Sequence, residues 1–204
     1  MNFSLTEDQQ AFADLAAQFA AKSLAPNAAE WDATGYFPKE VFKAAGELGF
    51  MGLYTNPDFG GLGLPRLDAA IIFEKLAYGD TSTAAFMTIH NMVAWMIGEF
   101  AKPEVAEKYL PELLAGEKLG SYCLTEPNAG SDAGSLKTKA VKQGNYYHIT
   151  EKKMFISGAG ATDVLVVMAR TSDNGAKGVS AFIVDANSDG ISYGKNEHKM
   201  GWKN

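Results

Sequence analysis

Along the first 116 residues, apolar positions recur every three to four residues, the spacing of helices that bury one face. Ser4 and Glu7 have the spacing of a capping box, and Phe12, Leu15, Ala16 and Phe19 trace one face of a first helix that Pro26 limits. Pro38 stands where a first helical residue needs no amide hydrogen bond, and Val41, Phe42, Ala45 and Leu48 repeat until Gly49 supplies a left-handed stop. After the turn-prone run Asn56-Pro57-Asp58-Phe59-Gly60-Gly61, a third helix opens at Pro65 and runs through Leu67, Ile71 and Leu76. Asp80, Thr81 or Ser82 caps a fourth. A fifth starts at Pro103, is broken or kinked at Pro111, and ends at Gly116.

From about Leu119 the period changes to short β-rich runs between turns, and 11 of the 21 glycines fall there, which marks a change of architecture. A boundary near residue 117 divides the chain into a helical domain, 1–117, and a β domain, 118–204. Strands are expected at 121–124, 136–142, 146–150, 153–156, 164–170, 179–184 and 191–193, with Gln143-Gly144-Asn145 as a hairpin turn. The class is α+β, an all-α N-terminal domain followed by a small antiparallel, barrel-like β domain.

Composition narrows the function classes. With 204 residues, 47% apolar and 21% charged, the chain can build a sizeable core. Its net charge of −6 leaves no basic footprint for nucleic acid. Cys123 is the only cysteine, so an intramolecular disulfide and a cysteine metal cluster are excluded and a reducing, cytoplasmic location is expected. The start, Met1-Asn2-Phe3-Ser4-Leu5-Thr6-Glu7-Asp8, carries acids where a targeting peptide carries positive charge. Residues 83–100 are apolar but interrupted by His90, Asn91 and Glu99, which favours a buried helix over a membrane span.

Two patches carry chemistry. Tyr122-Cys123-Leu124-Thr125-Glu126-Pro127-Asn128-Ala129-Gly130-Ser131-Asp132 joins a strand to a polar loop whose backbone amides can hold an anion. Met154-Phe155-Ile156-Ser157-Gly158-Ala159-Gly160 adds an aromatic face and a hydroxyl beside a bare turn. Together they offer what a flavin needs: an apolar face, rim donors and open backbone near a pyrophosphate. Taken singly, Thr125 reads as a turn former, Phe155 as core, and Gly130, Gly158 and Gly160 as turn glycines. His90 reads as a core histidine; His148 and His198 are isolated, and no metal pair is present. Gly60-Gly61-Leu62-Gly63 lacks the spacing of a dinucleotide fingerprint, and Gly158-Ala159-Gly160 lacks the Lys-Ser/Thr of a phosphate loop.

Over nearly its whole length the chain resembles the acyl-CoA dehydrogenases, through the helical start, the Gly60-Gly61-Leu62-Gly63 turn, the Thr125-Glu126-Pro127 to Gly130-Ser131-Asp132 motif, and Lys153-Met154-Phe155-Ile156-Ser157. The resemblance implies that Tyr122, Leu124, Thr125, Gly130 and Ser131 contact FAD, with Ser131 also near the acyl-CoA. It places Phe155, Ile156 and Ser157 against the isoalloxazine ring. Phe155 stands where many relatives carry tryptophan, and with Asp80-Thr81-Ser82-Thr83 and Ile89-His90-Asn91-Met92 it looks most like the isobutyryl-CoA dehydrogenase branch. Phe86 and Ile89 are implied to close the far end of the acyl-chain tunnel, and Thr150-Glu151 replaces the family's Asn-Gly, so a looser turn is expected.

The activity implied is α,β-desaturation of a short or branched-chain acyl-CoA in fatty acid or branched-chain amino acid catabolism. A carboxylate takes the α-proton, the β-hydrogen leaves as hydride to flavin, and electrons pass to electron-transferring flavoprotein. Relatives form homotetramers and carry the catalytic glutamate in a C-terminal helical domain that this chain lacks. No catalytic residue is therefore expected within 1–204, and the chain alone should be inactive. Two alternatives remain: an acyl-CoA-oxidase-like or nitroalkane-oxidase-like flavoenzyme, and a non-catalytic acyl-CoA or flavin-binding module.

Overall fold

The computed structural model describes residues 4–150 and 152–203. They form two compact units, one running to Leu119 and joined by the segment from Lys195, the other Gly120–Gly194. The closing segment thus groups with the helices, whereas the sequence places it after the strands. Lys203 Nζ lies 3.1 Å from the Asp32 carboxylate, and the Trp202 amide donates to Ser82 Oγ at 3.2 Å.

In the first unit α1 (Glu7–Phe19) is capped by Thr6 and Gln9, each side chain bonding the other's backbone amide. The box therefore sits two residues beyond the predicted Ser4/Glu7 pair. Both pairs fit the spacing, but Gln9 also donates to Asp68 Oδ1 at 2.8 Å, a tie between helices that decides the register. Ala13, Ala16 and Phe19 are buried, while Leu15 is exposed. A π-helical turn, Ala20–Leu24, completes this helix before Pro26. The short α2 (Ala28–Thr34) escapes a periodicity reading because Trp31 is its single buried anchor.

Helix α3 (Lys39–Glu47) ends as predicted in Gly49 at φ 78°, and α4 (Arg66–Gly79) follows Pro65. Helix α5 (Thr81–Phe100) is capped by Asp80, whose carboxylate accepts from the amides of Ser82 and Thr83. Helix α6 (Pro103–Leu114) runs unbroken through Pro111, contrary to expectation. Pro111 is exposed, so its missing amide bond falls on the solvent side while buried Leu110 and Leu113 hold the last turn down. Gly46 and Gly116 let α3 meet the end of α6 backbone to backbone: a Cβ at either would stand 2.2 Å from a carbonyl oxygen.

The core of this unit gathers Leu24, Phe42, Phe50, Ile72, Leu76, Phe86 and Met87. Buried Asn91 is structural: its Oδ1 accepts from the Leu53 amide at 2.7 Å, and its Nδ2 donates to the carbonyls of Phe50 and Met87. No helix among the described residues is long and apolar enough to cross a membrane.

The second unit holds a mixed sheet, not an antiparallel one, with β1 (Gly120–Cys123), β2 (Lys139–Gln143), β3 (Tyr146–Thr150), β4 (Val164–Arg170) and β5 (Val179–Asp185). β4 is central: β1 pairs with it in parallel, β5 antiparallel, and β2 touches it in parallel through Lys139 and Arg170. β2 and β3 form the predicted hairpin, turning at Gly144 with φ 61°. The order β1-β4-β2-β3, with β5 on β4, shows no closure into a barrel among the described residues. Periodicity finds strands but carries no information about their direction.

Two predicted strands are absent. Residues 153–156 follow an irregular path with Phe155 at φ 56°, outside the extended region, and 191–193 are not paired. β2 begins at Lys139, later than predicted, because the amides of Lys137 and Thr138 are bonded to the Glu126 carboxylate. The predicted Thr150-Glu151 turn involves Glu151, which lies outside the described residues.

Candidate functional site

β1 delivers half-buried Tyr122 and passes into a loop that opens with half-buried Leu124 and Thr125. The loop tightens at once: Glu126 and Ala129 exchange backbone hydrogen bonds of 2.9 and 3.1 Å, leaving Pro127 and Asn128 exposed. Glu126 turns inward. Its carboxylate accepts from the amides of Lys137 at 2.6 Å and Thr138 at 3.0 Å, from the Thr138 hydroxyl, and from Lys153 Nζ at 2.7 Å. Burial alone would raise its pKa, but the bonds from Lys153, Thr138 and the two amides outweigh that and hold it down to about 2. So constrained, Glu126 is a structural anion and not a general base.

The second patch is fastened to the first at several points. Lys153 Nζ donates to the Leu124 carbonyl at 3.0 Å as well as to Glu126, and the Met154 amide donates to the Thr125 carbonyl at 2.8 Å. Ser121 Oγ donates to the Ser157 carbonyl at 2.7 Å and shares a 2.8 Å bond with Thr162 Oγ1. The structure thus brings Tyr122, Leu124 and Thr125 beside Phe155, Ile156 and Ser157. Phe155 is 64% exposed at a backbone angle that non-glycine residues seldom adopt. Ile156 instead packs against the buried cluster of Cys123, Leu165 and Ala186. Burial pushes the Cys123 thiol up to about 12, against a weaker downward pull from Lys153, so it stays protonated at neutral pH.

Several donors stay uncommitted. Among the described residues, the hydroxyls of Thr125, Ser131 and Ser157 and the backbone amides of Gly130 and Ser131 find no partner. Gly130 and Ser131 are exposed at the far end of the first loop, and a Cβ built on Gly130 would meet nothing within 4 Å. Gly130 therefore does not answer to the chain's own packing, whereas Gly160 carries φ 84° and packs on Tyr193. This donor set, with an exposed ring beside it, fits a planar cofactor with a phosphate tail.

Residue periodicity does not reveal two supporting groups. Arg170, closing β4, spends its guanidinium on the carbonyls of Gly134, Leu136, Ser172 and Gly175, and so clamps the end of the first loop. The Glu126–Lys153 pair is equally invisible, since only folding brings the partners together. A charged residue ending an apolar strand was the one available hint for Arg170.

In the helical unit the substrate residues suggested by resemblance divide. Phe86 is 1% exposed, with its ring 4.8 Å from Phe37 and 4.9 Å from Phe42, so it is core and not an open wall. Ile89 is half-buried on a stripe with Ala85 and Met92, which spacing alone does not separate from the core. His90 is fully buried with Nε2 3.0 Å from the Leu113 carbonyl; burial lowers its pKa to about 4, against a smaller upward effect of that bond. Among the described residues no group of three or more His, Cys, Asp or Glu is placed to hold a metal.

Comparison with known proteins gives a consistent picture. Residues 6–117 match the family model for the acyl-CoA dehydrogenase N-terminal domain, and residues 121–204 match that for the middle domain. Isobutyryl-CoA dehydrogenase, mitochondrial, of Dictyostelium discoideum is 50% identical over 97% of the chain and 48% of its own length. Butyryl-CoA dehydrogenase from Megasphaera elsdenii superposes with a TM-score of 0.91 at 37% identity, over all of the chain and 55% of that structure. PigA with FAD and proline superposes at 0.93 with 29% identity, over all of the chain and 54% of that structure. The chain spans about half the length of the curated relatives it matches.

Proposed function

This chain belongs to the acyl-CoA dehydrogenase family, and from that premise we propose that it supplies the helical N-terminal and FAD-binding middle parts of a short or branched-chain acyl-CoA dehydrogenase. The carrying observation is the pair of fastened loops whose remaining donors face no partner among the described residues. FAD, when bound, supplies the hydride acceptor. Thr125 and Ser157 would offer hydroxyls to its rim and exposed Phe155 an aromatic face, while Tyr122, Leu124 and half-buried Ile156 shape and anchor the loops. The amides of Gly130 and Ser131 would take the pyrophosphate, and Ser131 the acyl-CoA. Along α5, Ile89 with Ala85 and Met92 would line the acyl chain, and Phe86 would support that wall from the core.

Glu126 would not take the α-proton, because its carboxylate is already held by the Lys137 and Thr138 amides and by Lys153. Proton abstraction belongs to the complete protein, as do desaturation, electron transfer to electron-transferring flavoprotein, and a homotetramer. A cytoplasmic location is part of the same proposal and rests on the cysteine count alone. The division at residue 117 is also retained as a proposal at the level of sequence.

FAD titration by flavin fluorescence tests this reading. Wild type should quench FAD emission saturably, and Gly130→Ala should weaken binding about 10-fold, a cost of about 1.4 kcal/mol, with no change in melting temperature. Equal FAD affinity in the two proteins would remove Gly130 from the site, and no binding by wild type would overturn the reading.

A further inference from the structure

We infer that Glu126 and Lys153 form a positioning pair that sets the two loops in register before FAD arrives, an inference that rests on the FAD reading above. Lys153 Nζ joins the first loop at the Leu124 carbonyl and at the Glu126 carboxylate, 3.0 and 2.7 Å away. Glu126 in turn grips the amides of Lys137 and Thr138, and the Thr138 carbonyl accepts from the Arg170 amide at 2.7 Å. A continuous line of polar contacts therefore leads from the Phe155 loop through one buried carboxylate to the central strand.

The pair lies next to the strained residue. Phe155, at φ 56°, is two residues beyond Lys153 and two before Ser157, whose carbonyl is held by Ser121 Oγ. Such a backbone angle persists only where the surroundings overdetermine it, and here both flanks are tied. Side-chain exposure of 12% for Lys153 and 6% for Glu126 shows that the pair is removed from water. Buried ion pairs are generally no more stabilising than apolar residues of similar size, so added stability alone does not account for this one. Its geometric effect is specific. It keeps the Thr125 hydroxyl and the Phe155 ring at a set separation, and preorganisation of that kind raises affinity by lowering the ordering cost of binding.

The decisive variant is Lys153→Met, which keeps length and removes the charge. It should still melt cooperatively but bind FAD about 10-fold or more weakly, the scale on which loss of an outer-shell partner acts at metal sites. The visible circular dichroism of its bound flavin should change, and Lys153→Arg should restore both affinity and spectrum. A folded Lys153→Met protein with wild-type affinity and spectrum would overturn the inference. Hydrogen exchange on wild type needs no variant: the Met154 amide should be protected without FAD, and protection that appears only on adding FAD would overturn the inference as well. If wild type does not bind FAD, the FAD reading falls and the pair's role with it; if wild type binds and Lys153→Met matches it, only the pair's role falls.

Discussion

Phe86 shows what a single side chain can hide from a sequence reading. It lies on α5 three residues before Ile89, yet its ring packs against Phe37 and Phe42 while Ile89 remains half-buried. Phe86→Ala should therefore act first on stability, costing about 3–5 kcal/mol as buried Phe truncations do, measured by urea unfolding. A cost under about 1 kcal/mol would mean that the site collapses around the deletion or that the ring is not core. Phe155 gives the opposite case: the sequence predicts it in a strand over 153–156, whereas it stands at a positive φ on an irregular path, because that angle follows from tethers contributed by Leu124, Thr125 and Glu126.

Helices were more legible than strands, and their ends show why. Asp80 before an apolar run announces α5, and its carboxylate accepts from the Thr83 amide at 2.9 Å and the Thr83 hydroxyl at 2.5 Å. Asp80→Ala should cost about 1 kcal/mol, within the usual span for an N-cap, and Asp80→Asn should recover most of it; equal urea midpoints for all three proteins would show the cap to be idle. The Ser4/Glu7 and Thr6/Gln9 pairs both satisfy the capping pattern, and the choice was made by Asp68 on another helix. Likewise the late start of β2 reflects amides taken by a distant carboxylate, and the passage of α6 through Pro111 reflects which side of the helix faces water.

At the scale of the molecule, two groups make stability depend on pH in the same direction. His90 titrates near 6.5 when unfolded but at about 4 in the fold, so the unfolded chain binds its proton first. Its contribution is complete above pH 6.5 and is lost as pH falls to 4, on the order of 3 kcal/mol in all. Glu126, with a folded pKa of about 2 against 4.5, extends the loss from pH 4.5 downward. Urea unfolding followed by the helical signal should show the decline between pH 7 and 4 in wild type and a flatter profile in His90→Gln. An equally steep profile in that variant would assign the effect to other groups.

What the amino-acid sequence determined by itself is the helical first half, the strand-rich second half, the hairpin at Gly144, and the two segments that carry the candidate site, the second of them read as a strand over 153–156. Those features arise from periodicity and turn residues, which act over a few positions of the chain. Tertiary structure alone decided that β1 and β4 run parallel, that the segment from Lys195 joins the helices, and that Lys153 reaches back to Glu126. Each of these depends on partners far apart in the chain, and burial of charge or pairing of backbone groups selects among alternatives that local spacing leaves equal.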